Sequence, residues 1–176
     1  MMNAVRKPSP SMHRPIVAAL SLWAAALPSL VSAFELETRS GERTTLTSAL
    51  APGAWTLVQL WTTDCAPCER DKPVLDRWHR RHAPAGTAAV IGVALDGPDA
   101  LALIEAVHER TPTSYPTLVA LDDVFEEQFL GLVGTDFRAT PTYLLYSPAG
   151  EFQGAHVGPV SEAMLDAIAA AADGVR

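Results

Sequence analysis

Two apolar runs set the frame of the chain: "WTLVQLWT" at 55–62 and "AAVIGVAL" at 88–95. Both are short and rich in β-branched or aromatic residues, which predicts strands buried on both faces. A third run, "TLVAL" at 117–121, predicts another. Between the first two the period changes. From Ala66 through His82 the apolar positions Val74, Leu75 and Trp78 fall at i, i+1 and i+4, the spacing of one helical side, with Pro73 expected to kink the helix. Residues 97–110 predict a second helix, with Pro98 in its first turn and Leu101, Ile104 and Val107 or His108 along one side. A short helix is expected around "VFEEQFLG". Upstream, "FELETRSGERTTLTSAL" predicts two short strands about a Ser40-Gly41 turn, then a turn of helix. Downstream, "PTYLLYSPAGEFQGAHVG" predicts a hairpin with strands from Thr142 and from Glu151 and a turn at Ser147–Gly150. Ser161 is placed to cap a last helix, "EAMLDAIAAAA". Strands alternating with helices and closed by an antiparallel hairpin imply an α/β sheet covered on both faces. No repeat, low-complexity tract or long linker divides it, so one domain is expected.

The first 33 residues are of another kind. Residues 1–15 carry Arg6, Lys7, His13 and Arg14 and no acid, and "IVAALSLWAAALPSLVSA" follows without a charge. A basic start, an apolar middle and small residues at Ser32 and Ala33 predict a secretory signal peptide over 1–33, with the domain at 34–176. An uncleaved membrane anchor is the alternative, at the short limit for a span. Export implies a periplasmic domain, tied to the membrane only if this segment is retained. Residues 34–176 hold ten basic and twenty acidic side chains, a net charge of −10. So acidic a domain is a poor partner for nucleic acid or anionic lipid.

Export changes the meaning of the cysteines. The chain has two, Cys65 and Cys68, in "WTTDCAPCERDKP". A disulfide across two intervening residues constrains the unfolded chain little, so a redox-active dithiol explains the pair better than a structural bridge. Cys65 falls where a strand ends and a helix begins, and the unpaired N–H groups of a helix start stabilise a thiolate. Cys68 lies on the same helical side, within reach of a disulfide. Pro67 costs little in the first turn. The expectation is an exposed nucleophile, Cys65, and a more buried resolving thiol, Cys68. The acids around them are unexpected company, because a carboxylate disfavours a second negative charge nearby. Asp64 directly before the pair is read as a brake on the Cys65 thiolate, and Glu69 as a solvated first-turn residue.

Three other readings compete. Cys65, Cys68, His79 and His82 imitate a zinc ligand order, but Cys68 and His79 are some ~16 Å apart along one helix, too far to share an ion. His79 and His82 are instead expected on a solvated basic face with Arg80 and Arg81, and no metal site or cofactor is assigned. A Cu(I)-binding chaperone remains open on spacing alone, although no methionine flanks the pair. Thr62, three residues before Cys65, fits a peroxiredoxin pattern, but the proline that pattern requires four residues earlier is Val58.

Over residues 34–172 the sequence resembles the TlpA/ResA-like thiol-disulfide oxidoreductases of the thioredoxin superfamily. The resemblance is carried by the entry hairpin, Trp61, Cys65-Ala66-Pro67-Cys68, Asp71, Pro73, the strand and helix at 88–110 and "ATPTYLLYSPAGEF". It implies a thioredoxin-like fold, a central mixed sheet flanked by helices with an N-terminal hairpin and an inserted strand–helix. It implies Cys65 as attacking cysteine, Cys68 as resolving cysteine and Asp71 as proton acceptor for Cys68. Pro141 would be the cis-proline beside the site, with the Thr140 backbone turned toward a client segment. Trp61, Pro67 and Asp64 would tune the redox couple. Expected partners are client proteins with disulfides or cysteine pairs and a membrane-borne electron donor, as in cytochrome c or oxidase maturation. Two positions depart from the pattern: Asp64 stands where relatives often have an aromatic residue, and Thr142 where cytochrome c maturation reductases tend to have glutamate. The same residues run in reverse would make a disulfide-forming oxidase.

Overall fold

The computed structural model describes residues 34–173; the expected signal or anchor segment at 1–33 lies outside them. Seven strands form one sheet: β1 (Glu35–Thr38), β2 (Arg43–Thr45), β3 (Trp55–Trp61), β4 (Ala88–Ala94), β5 (Thr117–Ala120), β6 (Thr142–Tyr146) and β7 (Phe152–Val157). Their order across the sheet is β2-β1-β5-β4-β3-β6-β7. The three apolar runs, β3, β4 and β5, pair in parallel at its centre, and the hairpins β1–β2 and β6–β7 add antiparallel edges. Parallel strands need crossovers, and two helices supply them: α2 (Ala66–His82) and α3 (Leu101–Arg110). The helices α1 (Leu46–Ala49), α4 (Phe125–Val133) and α5 (Glu162–Asp173) complete the chain.

The alternation of side chains along β3 divides the core. Val58 and Leu60 face one side with Ile91, Val93, Leu118, Phe125 and Phe129. Leu57 and Trp61 face the other, where α2, α3 and α5 bring Leu75, Trp78, Ile104, Val107 and Leu165. Trp61 is 1% exposed at the end of β3, beneath the cysteines.

Local chemistry matches the predicted boundaries. Gly41, at φ +83, turns the first hairpin, and its N–H donates to the Thr38 carbonyl. Ser161 Oγ accepts from Met164 N at the start of α5. Residues 97–110 form two pieces rather than one helix: a 3-10 turn at Pro98–Ala100 precedes α3, and Gly97 at φ +77 sits before it. Pro73 lies inside α2 and is exposed, and the helix runs on through it to His82. The basic end of α2 differs from the expectation. His79 Nδ1 accepts from Val90 N of β4, and His82 packs against the Trp78 ring, so neither histidine belongs to a solvated face. Burial lowers the His79 pKa, in keeping with a ring used as an acceptor.

Candidate active site

Cys65 is the N-cap of α2, with Pro67 in the first turn behind it. Its Sγ accepts from Cys68 N at 3.2 Å, and its carbonyl accepts from Glu69 N. Cys65 and Cys68 are joined in a disulfide. Both cysteines belong to a buried cluster with Trp61, Ala94, Ile104, Val107 and Val119. Cys68 is fully buried; Cys65 is 7% exposed, less open than a free nucleophile was expected to be. The exposed neighbours Asp64 and Ala66 place the Cys65 side of the bridge toward solvent.

The loop before Cys65 is fixed from two sides. Thr63 N and Thr63 Oγ1 both donate to Asp96, just beyond the end of β4. Thr62 Oγ1 donates to Asp64 Oδ1 at 2.8 Å and lies 3.3 Å from Thr140 Oγ1. That contact follows from the sheet, because β6 pairs with β3 through Thr142 opposite Leu60 and so brings Thr140–Pro141 beside Trp61-Thr62. The Thr140–Pro141 peptide bond is cis. Thr142 Oγ1 donates to the Ala139 carbonyl, and Gly158 N donates to that of Pro141, which ties down both ends of this loop. Glu69, half-buried, meets Arg110 of α3 at 2.7 Å rather than standing free in solvent.

Asp71 is 7% exposed. Its Oδ2 accepts from Tyr143 OH at 2.7 Å and from Val160 N at 3.2 Å. Tyr143 OH also accepts from Gln59 Nε2, which donates to the Cys68 carbonyl as well, and Gln59 Oε1 accepts from Tyr115 OH. A buried polar chain therefore runs Tyr115–Gln59–Tyr143–Asp71 beneath the dithiol helix. Burial, with the bond to Asp71, raises the Tyr143 pKa, so the phenol stays protonated as a donor. Next in sequence, Lys72 points elsewhere. It is 4% exposed, and its Nζ sits 3.2 Å from the centre of the Trp61 ring.

The sequence reading did not pick out Gln59, Tyr143 or Lys72. Gln59 carried a signal, a lone amide in an otherwise apolar strand. Lys72 carried a weaker one, its place one helical turn beyond Cys68. Among the described residues no group of three or more His, Cys, Asp and Glu is gathered as a metal would need.

Comparison with known proteins gives this geometry its class. No protein-family model matches the chain. Over 134 residues it is 25% identical to the thiol-disulfide oxidoreductase ResA of Halalkalibacterium halodurans, covering 76% of this chain and 69% of that one. The fold matches a thiol:disulfide interchange protein of Chlorobium tepidum TLS, with a TM-score of 0.65 and 24% identity over 80% of this chain and 92% of the other. It also matches a secreted Mycobacterium tuberculosis disulfide oxidoreductase homologous to Escherichia coli DsbE, with a TM-score of 0.60 and 17% identity over 80% and 97% of the two chains. The chain is a thioredoxin-like thiol-disulfide oxidoreductase. By sequence it is homologous to ResA at 25% identity, and the solved structures share its fold.

Proposed function

We propose that this protein is an exported reductase of protein disulfides. The observation that carries the reading is the acid set beside the pair: Asp64 is exposed directly before Cys65, and Asp71 is buried one turn beyond Cys68. In the reductive direction the Cys65 thiolate attacks a client disulfide, and one client sulfur leaves as a thiol. Cys68 then gives its proton to Asp71 and attacks Cys65 Sγ. The Cys65–client bond breaks, and the second client sulfur leaves and is protonated. Two electrons pass to the client, and the Cys65–Cys68 disulfide remains. A membrane-borne dithiol donor returns it to the reduced form. The cis-proline loop at Thr140–Pro141 receives an extended client segment by backbone pairing. Clients are apocytochrome c or the copper-site cysteine pair of an oxidase. No described helix is long and apolar enough to cross a membrane, so a lasting membrane attachment would fall to residues 1–33.

The test is the reduction potential of the Cys65–Cys68 couple, measured by equilibration with glutathione or dithiothreitol. A reducing couple is expected, nearer thioredoxin's roughly −270 mV than the roughly −120 mV of a strong oxidase. A value at the oxidase end would reverse the proposed direction. A disulfide-forming oxidase is the second reading, and the buried Lys72 ammonium on α2 is the observation that favours it, since a cation stabilises the thiolate of the reduced state.

The role of Asp64 has its own test. Asp64→Asn removes a like charge and is expected to lower the Cys65 pKa, read from pH-dependent alkylation. An unchanged or higher value would show that Asp64 does not restrain the thiolate.

A further inference from the structure

Lys72 is a buried cation for which the catalytic cycle described so far has no use. Among the described residues no carboxylate lies within 4.0 Å of its ammonium. An unpaired buried charge costs stability and is usually replaced by an apolar side chain unless it serves a purpose. Its position suggests one. Helical side chains lean toward the helix N-terminus, so a residue four beyond Cys68 reaches back toward it, about 6 Å away between β-carbons. The Nζ rests on the Trp61 ring, and Trp61 belongs to the same buried cluster as both cysteines. Asp71 and Lys72 are consecutive but diverge: Asp71 turns to Tyr143 and Val160, and Lys72 to Trp61.

We propose that Lys72 is a positioning residue for the resolving step, a fixed counter-charge held on Trp61 that stabilises the Cys68 thiolate while Asp71 takes the proton. The inference rests on the dithiol cycle above but not on its direction. No bond forms to Lys72, and it gains and loses no electrons. The charged groups that act on it are Glu69 on α2 and Asp96 after β4, which favour its protonation, and Arg110 on α3, which opposes it. Burial outweighs them and brings the Lys72 pKa down to about 8, low enough for the ammonium to be sensitive to a thiolate beside it.

The experiment uses the full chain, reduced, and reacts it with 4,4′-dithiodipyridine, a neutral disulfide, in stopped flow. Attack by Cys65 releases one thiopyridone, and resolution by Cys68 releases the second. Lys72→Met is expected to slow the second release about tenfold at pH 7 and to move its pH midpoint up by about one pH unit. Its melting temperature should hold or rise, because Met relieves a buried charge at similar volume. Lys72→Arg should restore the second phase. An unchanged second phase in Lys72→Met, or Lys72→Arg as slow as Lys72→Met, overturns the proposal. The wild type gives a readout that needs no variant. The Lys72 13Cε resonance should titrate near pH 8 in the disulfide form and about one pH unit higher once the reduced pair has lost its first proton. The same midpoint in both redox states also overturns it. The wild-type potential decides the reductase reading independently of both measurements.

Discussion

Cys65→Ser will abolish turnover of a protein disulfide, whereas Cys68→Ser will still make the first attack and stall as a mixed disulfide with its client. The asymmetry comes from burial and from the helix end. Cys65 caps α2 between the exposed Asp64 and Ala66, so its sulfur is the one an incoming disulfide meets. Cys68 is wholly buried in the cluster that holds Trp61 and Ile104 and can reach only a sulfur already attached to Cys65. Serine is close to cysteine in size, and at position 65 its Oγ can accept from Cys68 N in place of the sulfur, so each variant should fold. Losing the bridge costs little, because so short a loop adds little order to the unfolded chain. Insulin reduction and a non-reducing gel read out the two effects: no activity and no adduct for Cys65→Ser, no activity and an accumulated adduct for Cys68→Ser. An adduct formed by Cys65→Ser and none by Cys68→Ser would exchange the two roles.

The strands of this domain were legible because burial on two faces leaves a mostly apolar run, broken in β3 only by Thr56 and Gln59 and not at all in β4. The hairpins were legible because Gly41 and Gly150 mark their turns at positive φ. The pairing of β1 with β5, more than seventy residues apart, leaves no such local trace. The site divides in the same way. Cys65 and Cys68 announce themselves by spacing at a helix start, and Asp71 by the family resemblance together with its place one turn beyond Cys68. The surroundings that give Asp71 its environment do not, since Tyr143 and Val160 come from 72 and 89 residues further along. Lys72 and His79 were hidden for a related reason. On a helix with charge on several sides, which polar residues are buried is decided by the partners other elements bring, here the Trp61 ring and Val90 N.

Asp71→Asn is expected to slow the resolving step by roughly 10- to 100-fold while leaving the first attack near the wild-type rate. Asparagine has the same shape, and its carbonyl oxygen can take the place of Oδ2, accepting from Tyr143 OH and Val160 N as the carboxylate does. The amide nitrogen then replaces the other carboxylate oxygen, so a group that accepts a proton becomes one that only donates. Packing is kept and proton acceptance is lost. Tyr143→Phe makes the complementary change: the carboxylate stays but loses one of its two anchors, at a stability cost of about 1–3 kcal/mol. Its resolving step should therefore fall between wild type and Asp71→Asn. The two phases of dithiodipyridine reduction separate these effects, and a second phase unchanged in Asp71→Asn would remove Asp71 from the chemistry. Combining Asp71→Asn with Lys72→Met sharpens the test. If one residue takes the Cys68 proton and the other stabilises the charge left behind, both act on the same thiolate, and their effects should not add. Strictly additive losses would mean that the two side chains touch different steps, and that the divergence of Asp71 and Lys72 around Cys68 serves packing alone.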